Sequence, residues 1–282
     1  MSLKIMISGS SGFIGSSLFS FFESKGHTVI PLKRGAIRVE ELEGLDVVVH
    51  LAGENIVKGF WTKEKKKRIL ESRKKGTSCL VEALMQTKCP PKVFLSASAV
   101  GYYGSQSGSM TEKSPAGTGF LAEVCQAWEN AAKPLQEKGV RVVFTRLGIV
   151  LSPKGGLLKS LLPLFSCGLG VKLGTGKQMI SWIALEDLMA AFYHIILHKQ
   201  MQGPVNIVAP YSVSQEVFAK TLSHTLSKPC ILALPRWLFL GEKNKELLFC
   251  SSDVKPSKLH SSNFYFSSPT LEDYFNKASS NL

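Results

Sequence analysis

Short apolar runs alternate with longer amphipathic stretches over the first half of the chain. The run from Val47 to Gly53 is apolar on both faces, which is typical of a central strand in a parallel sheet covered by helices. Between Trp61 and Gln86, the positions of Ile69, Leu80 and Leu84 predict the inner face of a long helix. Five strands are expected, beginning near Leu3, His27, Val47, Lys92 and Arg141. This alternation predicts an α/β fold with a Rossmann-type, doubly wound parallel sheet.

The pattern changes after Ser152, where glycines dominate a stretch with few expected regular elements. Long loops in a compact protein are usually functional or mobile, so a substrate-loop insertion is expected over about residues 152–181. Regular structure is expected to restart at Trp182–Leu188, with a helix that runs on to His198. The elements expected after it are a strand at Gly203–Val208, a helix capped by Ser214 and a last helix at Leu271–Ala278. We therefore expect a nucleotide-binding domain over residues 1–210 and a smaller C-terminal substrate lobe over residues 211–282.

Length and composition fit this picture, since 282 residues with 44% hydrophobic content suit one α/β domain with a small lobe. No apolar run is long enough to span a bilayer, and glycines and serines interrupt the segment Leu3–Phe22, so it is not expected to be a signal peptide. Six scattered cysteines include no Cys-x-x-Cys pair and have no histidine cluster nearby. That spacing predicts neither a disulfide framework nor a metal site, and a cytoplasmic location is expected.

The chain is basic, with 34 Lys and Arg against 21 Asp and Glu and a formal net charge of +13. The densest cluster runs from Lys63 to Arg68 and is followed by Arg73–Lys75, inside the predicted long helix. Charges at helical spacing are typical of a solvated helix face. Nucleic-acid binding remains an alternative that rests on net charge alone, because no interleaved aromatic residues accompany the run.

The first strand leads into a glycine-rich turn, Gly9-Ser10-Ser11-Gly12-Phe13-Ile14-Gly15, with a helix expected to begin on the last glycine. Glycines allow the backbone to approach a ligand closely, while free N–H groups and the helix dipole favour negative charge. A strand, a glycine turn and a helix N-terminus together predict a binding site for the pyrophosphate of a dinucleotide.

The end of the second strand carries Lys33 and Arg34, where an acidic residue would select NAD by binding both ribose hydroxyls. Two cations can instead neutralise a 2′-phosphate, so NADP(H) is the expected cofactor. The alternative is that both are surface charges at a strand end.

Several motifs taken together resemble those of the extended short-chain dehydrogenase/reductase superfamily, specifically its atypical epimerase-like members, some of which are labelled cell-division inhibitors. The matching motifs are the Gly9 turn, His-Leu-Ala-Gly-Glu at His50–Glu54, Ser-x-Ser-x-x-Gly-Tyr-Tyr-Gly at Ser96–Gly104, Arg-x-Gly-x-Val-Leu at Arg146–Leu151, Gly-x-Gly-x-Gln-x-x-x-Trp-Ile at Gly174–Ile183 and Gly-Pro-x-Asn at Gly203–Asn206. The resemblance covers nearly the whole chain.

The resemblance implies a Rossmann domain that binds NADP(H) and a small lobe that closes over a small-molecule substrate. It assigns pyrophosphate binding to Gly9, Ser11, Gly12, Phe13 and Ile14, the adenosine phosphate to Lys33 and Arg34, and the lining of the cofactor site to Leu51, Ala52, Gly53 and Ser96. Arg73 matches a helix position that often carries Asn in the superfamily, and would reach the cofactor or a substrate carboxylate. Its alternative is a helix surface charge. A homodimer is compatible with the resemblance, and no membrane partner is expected.

The resemblance fails at the catalytic pair of the superfamily, Tyr-x-x-x-Lys, in which the lysine lowers the pKa of the tyrosine and holds the ribose of the cofactor. The Tyr and Lys positions fall on Leu121 and Cys125, or on Phe120 and Val124 after a shift of one residue, and the chain has no Tyr-x-x-x-Lys elsewhere. Ser98 matches the superfamily's catalytic hydroxyl.

Tyr102 and Tyr103 are the nearest phenols along the chain and are the predicted catalytic partners of Ser98. No neighbouring cation is evident from the sequence, which weakens them as bases at neutral pH. Glu112 and Cys125 are further acid–base candidates for which a structural role is favoured. The hydrolase motif Gly-x-Ser-x-Gly and the P-loop motif are both absent from the sequence.

Two functions from different classes therefore remain open. The first is an NADP(H)-dependent oxidoreductase or epimerase that acts on a small hydroxyl or carbonyl substrate with a non-standard active site. The second is a catalytically inactive protein that binds NADP(H) to control a partner, which the missing Tyr-Lys pair favours. The intact glycine turn is compatible with both.

Overall fold

The computed structural model describes residues 2–33, 35, 37–230, 232–239 and 241–279. Its contacts divide the chain into two compact units. Unit 1 comprises Met1–Tyr102, Ala122–Arg146 and Phe192–Val205, and unit 2 comprises Tyr103–Leu121, Leu147–Ala191 and Asn206–Leu282.

Strands and helices alternate through the described residues as the apolar pattern predicts. The strands are β1 (Lys4–Ser8), β2 (Thr28–Leu32), β3 (Val47–His50), β4 (Val93–Ala99), β5 (Ser109–Met110), β6 (Arg141–Leu147), β7 (Ile149–Ser152), β8 (Val171–Leu173), β9 (Met179–Ile180), β10 (Trp182–Ala184), β11 (Gly203–Ile207), β12 (Val213–Ser214), β13 (Leu232–Leu234) and β14 (Asp253–Val254). The helices are α1 (Phe13–Ser24), α2 (Lys63–Met85), α3 (Phe120–Ala132), α4 (Gly156–Ser166), α5 (Leu185–Leu197), α6 (Gln215–Thr225), α7 (Glu242–Leu248), α8 (Ser257–Ser261) and α9 (Leu271–Ala278).

The central sheet has six strands in the order β11-β6-β4-β3-β1-β2, which confirms the Rossmann-type parallel sheet. β1 pairs in parallel with β2 on one side and with β3 on the other. The strand order therefore reverses between β1 and β3. In open α/β sheets, ligands bind beyond the carboxyl ends of the strands at such a switch point, which directs attention to the residues that follow Ser8 and His50.

Each unit has its own apolar core. In unit 1, β1, β3 and β4 bury Met6, Val48 and Phe94 against Leu80 and Leu84 of α2, as the helical spacing of that stretch predicts. In unit 2, Trp182, Phe218 and Phe275 are packed with the residues of α4, α6 and α9. Among the described residues, no helix is both long and apolar enough to cross a membrane. The cytoplasmic location stays a prediction.

The glycine-rich stretch contains more regular structure than expected. Helix α4 occupies Gly156–Ser166, although few regular elements were expected after Ser152. It buries Leu158 and Phe165, so packing against the core of unit 2 outweighs the local preference of its glycines for turns. Residues 147–191 fall in the same compact unit as the C-terminal segment. The domain boundary at residue 210 stays a prediction.

Candidate functional site

The glycine turn after β1 is built so closely that side chains at two positions would clash with the backbone. Gly9 has φ +72°, and a Cβ atom there would lie 3.0 Å from the backbone nitrogen of Ala52. A Cβ atom on Gly15 would lie 2.2 Å from the carbonyl oxygen of Gly9. The amide of Gly12 donates to the same oxygen at 3.0 Å. Only glycine fits at Gly9 and Gly15 without moving the backbone.

The first turn of α1 has the features of an anion-binding site. Its N-cap is Gly12, which offers no side-chain hydrogen bond, and no acidic residue lies in the first turn. Ser11 and Gly12 are exposed, while Phe13 and Ile14 are half-buried. Uncapped N–H groups and the positive end of the helix dipole favour a bound phosphate. The glycine turn and the first turn of α1 therefore fit a dinucleotide pyrophosphate.

A buried hydrogen-bond network holds this turn against the end of β3. The Ser8 hydroxyl oxygen accepts from the amides of Leu51 and Ala52 at 3.2 and 3.3 Å and lies 2.7 Å from Nδ1 of His50. On the opposite side of the ring, Nε2 lies 2.9 Å from Oγ1 of Thr77 in α2. Ser8 thus donates to Nδ1, and neutral His50 carries its proton on Nε2. The network ties β1, β3 and α2 together beneath Leu51 and Ala52.

We expect His50 to make stability depend on pH. Burial lowers the pKa of His50 from 6.5 to about 4, so the unfolded chain takes up a proton at a higher pH than the folded chain. This stabilising contribution is fully present above pH 6.5 and is lost as the pH falls toward 4. The free energy of unfolding in urea should be about 2 kcal/mol lower at pH 4.5 than at pH 7, and His50→Asn should reduce this difference. An unchanged pH dependence in the variant would contradict this assignment.

Two cations are predicted to bind the 2′-phosphate at the end of β2, and the structure describes one of them. Lys33 is exposed directly after Leu32, the last residue of β2. Arg34 lies outside the described residues. Because β2 is the edge neighbour of β1 in the sheet order, Lys33 stands on the opposite side of the glycine turn from β3.

Arg73 does not project from α2 as a free surface charge. Its Nη1 donates to the carbonyl oxygens of Glu54 and Ile69 at 3.1 and 3.2 Å, and its guanidinium carbon lies 4.8 Å from the ring centre of Trp128. A Cβ atom on Gly53 would lie 3.0 Å from the same guanidinium carbon. Arg73 is therefore packed directly against the segment that follows β3.

A buried four-residue cluster lies at the end of β4. The Ser98 hydroxyl donates to Oε1 of Glu129 at 2.8 Å. Arg146 donates to both oxygens of the same carboxylate, from Nε to Oε1 at 2.8 Å and from Nη2 to Oε2 at 2.9 Å. The guanidinium carbon of Arg146 also lies 3.4 Å from the ring centre of Tyr102. We call Ser98, Glu129, Arg146 and Tyr102 the Ser98 cluster.

Of the predicted catalytic residues, the structure brings Ser98 and Tyr102 together through Glu129 and Arg146. Tyr103 is oriented differently: it is completely buried, and its hydroxyl donates to Oδ1 of Asn206 at 2.7 Å within unit 2. That contact gives Tyr103 a structural role in unit 2.

The remaining candidates also have structural roles. Burial, followed by the charge of Glu129, raises the pKa of the Cys125 thiol to about 11, so Cys125 cannot supply a cation or a ready base. Glu112 is buried and accepts from the amides of Asn206 and Lys258. The Ser96 side chain is completely buried in β4, so its contact with a cofactor stays a prediction.

Sequence reasoning missed Glu129 as a functional residue, and it missed Arg146 as the cation beside Tyr102. Arg146 lies within the motif Arg-x-Gly-x-Val-Leu at the end of β6, whereas Glu129 lies on α3 outside the matching motifs. The signal in the sequence was an acidic residue on α3 and a basic residue near the end of β6, two charged residues in elements that are otherwise largely apolar.

The Ser98 cluster limits what Ser98 can do. A hydroxyl has one proton to donate, and in Ser98 that proton is directed to Glu129. The Ser98 hydroxyl also lies within hydrogen-bond reach of the Cys125 thiol. A remaining lone pair of its oxygen suits a ligand that donates a hydrogen bond. Among the described residues, no group of three or more His, Cys, Asp or Glu side chains is arranged to hold a metal ion.

Comparison with known proteins is consistent with this geometry. Residues 5–208 match the model of the NAD dependent epimerase/dehydratase family, and the chain belongs to that family. It is 37% identical over 287 residues to an epimerase family protein of Mycobacterium tuberculosis, covering 95% of this chain and 94% of that one. It is also 31% identical over 285 residues to the human epimerase family protein SDR39U1, covering 95% and 97% of the two chains.

Solved structures show the same fold. The crystal structure of human SDR39U1 (isoform 2) with NADPH superposes with a TM-score of 0.93 at 29% identity, over 99% of this chain and 100% of that one. A nucleoside-diphosphate sugar epimerase from Corynebacterium glutamicum has a TM-score of 0.82 at 34% identity, over 99% of this chain and 58% of that one. These similarities support the expected kinship with atypical, epimerase-like short-chain dehydrogenases/reductases.

Proposed function

We propose that the protein is an NADP(H)-dependent oxidoreductase or epimerase that acts on a small substrate bearing a hydroxyl or carbonyl group. The observation that carries this proposal is the Ser98 cluster at the end of β4, two strands from the glycine turn in the sheet order. An ion pair this deeply buried is costly to maintain, which favours a role beyond packing.

Residues around the switch point would hold the cofactor. The pyrophosphate would lie on Gly9, Ser11, Gly12, Phe13 and Ile14, where the glycines leave room for it. Lys33 and Arg34 would meet the 2′-phosphate, and Leu51, Ala52 and Gly53 would line the site at the end of β3. The NADPH bound to human SDR39U1 supports this choice of cofactor.

When bound, NADP(H) supplies or accepts the hydride. The residues of the chain handle the proton: the Ser98 oxygen accepts a hydrogen bond from the substrate hydroxyl, takes its proton and passes its own proton to Glu129. Arg146 holds that carboxylate in place through two hydrogen bonds. Tyr102 packs on Arg146, with its phenol as a further hydrogen-bond donor for the substrate oxygen.

Paired titrations of NADPH and NADH test the cofactor assignment. NADPH should bind the wild-type protein more tightly than NADH, and both Lys33→Ala and Arg34→Ala should weaken NADPH by about tenfold, a loss of about 1.4 kcal/mol. Neither variant should change NADH affinity, because NADH has no 2′-phosphate. Lys67→Ala, which removes the same charge from an exposed position on α2, serves as the control. Equal affinity of the wild type for NADPH and NADH would contradict the assignment of Lys33 and Arg34 to the 2′-phosphate.

A regulatory protein that binds NADP(H) without turnover is the second candidate, and the missing Tyr-x-x-x-Lys favours it. A panel of carbonyl compounds and nucleotide sugars separates the two. NADPH oxidation that is lost in Ser98→Ala supports the catalytic proposal, whereas no oxidation with any substrate supports the regulatory one. The homodimer stays a prediction.

A further inference from the structure

The position of Arg73 in the sheet order indicates which part of a dinucleotide it faces. Lys33 follows β2 on one side of β1, whereas Gly53 follows β3 on the other side. A dinucleotide whose adenosine phosphate meets Lys33 crosses the glycine turn toward β3 and β4. Arg73 packs against Gly53 and therefore lies on the nicotinamide side of the turn, the side that also carries Ser98.

The donors of Arg73 are only partly used. A guanidinium has five N–H groups, and both hydrogen bonds that Arg73 makes within the described residues come from Nη1. Both acceptors are backbone carbonyl oxygens, so these bonds do not neutralise its charge. Nε and Nη2 donate to none of the described residues, and the side chain is only half-buried. Three N–H groups, one on Nε and two on Nη2, are therefore left for a ligand.

The surroundings of Arg73 explain why an arginine stands here. Its guanidinium is packed between Gly53 and the ring of Trp128, which suits a flat, delocalised cation better than a lysine ammonium. Burial lowers the pKa of Arg73 below its usual range, but a guanidinium stays charged in proteins. The charge of Glu54 acts in the opposite direction and favours the guanidinium cation.

Cys125 occupies the position of the missing lysine, close to Arg73. The resemblance places the missing lysine at Cys125, whose thiol is buried and bonded to the carbonyl oxygen of Ala99. Arg73 packs on the ring of Trp128, which lies about one helical turn after Cys125 on α3, so a cation lies near the position where the lysine is missing.

We infer that Arg73 binds the ribose hydroxyls on the nicotinamide side of NADP(H) and takes over the cofactor-binding task of the missing lysine. The inference rests on the NADP(H) binding proposed above. It assigns Arg73 to the nicotinamide half of the dinucleotide, in preference to the adenosine half or a substrate carboxylate.

The test compares NADPH with adenosine 2′,5′-bisphosphate, which contains the phosphorylated adenosine but no nicotinamide ribose. Arg73→Gln should weaken NADPH by about tenfold and leave the affinity for the bisphosphate unchanged. Arg73→Lys keeps the charge without the planar fork, and should lose part of the NADPH affinity. Lys74→Gln removes a neighbouring exposed charge and should change neither affinity. Thermal melts identify any variant that is unfolded.

Two results would overturn the inference. If Arg73→Gln binds NADPH as the wild type does, Arg73 has no contact with the cofactor. If Arg73→Gln and Arg73→Lys lower the affinity for NADPH and for the bisphosphate by the same factor, Arg73 acts on the whole site through Gly53 and Glu54. A wild-type protein that binds neither ligand would refute the proposed function, and the inference with it.

Discussion

Replacing Gly15 with alanine should weaken NADPH binding by about 100-fold and destabilise the fold by about 1–3 kcal/mol. The added Cβ atom would lie 2.2 Å from the carbonyl oxygen and 2.8 Å from the carbonyl carbon of Gly9. Both are backbone atoms, so the clash cannot be relieved by moving a flexible side chain. The turn must open, and the pyrophosphate cradle is distorted with it. NADPH fluorescence titration and urea unfolding measure the two effects.

Gly76→Ala is the matched control for this prediction. Gly76 lies within α2, and a Cβ atom there would meet nothing within 4 Å. Alanine should therefore stabilise the protein by about 0.5–1 kcal/mol through helix propensity and leave NADPH affinity unchanged. Wild-type affinity in the Gly15→Ala variant would show that the turn does not bind the cofactor.

The second large effect is expected at the ion pair between Arg146 and Glu129. Arg146→Met keeps much of the side-chain volume but leaves a buried carboxylate without its cation, since the two side chains are only 3% and 7% exposed. Breaking a buried pair in this way costs about 3–5 kcal/mol. Urea unfolding of the single variants Arg146→Met and Glu129→Leu and of the double variant Glu129→Leu/Arg146→Met gives the coupling energy between the two residues.

The double variant should recover much of the lost stability, because it removes the uncompensated charge. Lys75→Met breaks an exposed pair with Glu71 and should leave the free energy of unfolding unchanged. If Arg146→Met costs no more than Lys75→Met, the pair contributes nothing to the fold and the Ser98 cluster is not preorganised.

The parts of the fold that local chemistry determines were predicted correctly. The glycine turn follows β1 directly, and Ser214 caps α6 by accepting from the amide of Val217. The last helix spans Leu271–Ala278 as expected. In each case, the residues that specify the element are neighbours along the chain, so spacing alone carries the information.

Features that depend on distant residues were not predicted. Ser98 and Glu129 are separated by 31 positions, and Glu129 and Arg146 by 17, so no local pattern joins them. The strand expected to begin near Arg141 ends at Leu147 as β6, and after Gly148 a separate strand, β7, begins at Ile149. A Cβ atom on Gly148 would lie 2.8 Å from the carbonyl oxygen of Ser181, a tertiary contact that the sequence does not reveal.

The two tyrosines show the same limit at the candidate site. Tyr102 and Tyr103 are adjacent in a short 3-10 helix, yet one packs on Arg146 and the other donates to Asn206. No cation near either phenol was predicted from the sequence, whereas in the structure Arg146 packs against the ring of Tyr102. Tyr102 and Arg146 are far apart along the chain, so no local motif predicts their contact.

A crystal structure of the protein with NADPH would show whether the glycine turn and the Ser98 cluster serve one NADP(H) site. We expect the pyrophosphate on Gly9–Gly15, the 2′-phosphate beside Lys33, and the nicotinamide ring on the side of Ser98 with its ribose within hydrogen-bond distance of Arg73. A cofactor bound elsewhere, or a nicotinamide ring directed away from Ser98, would contradict it.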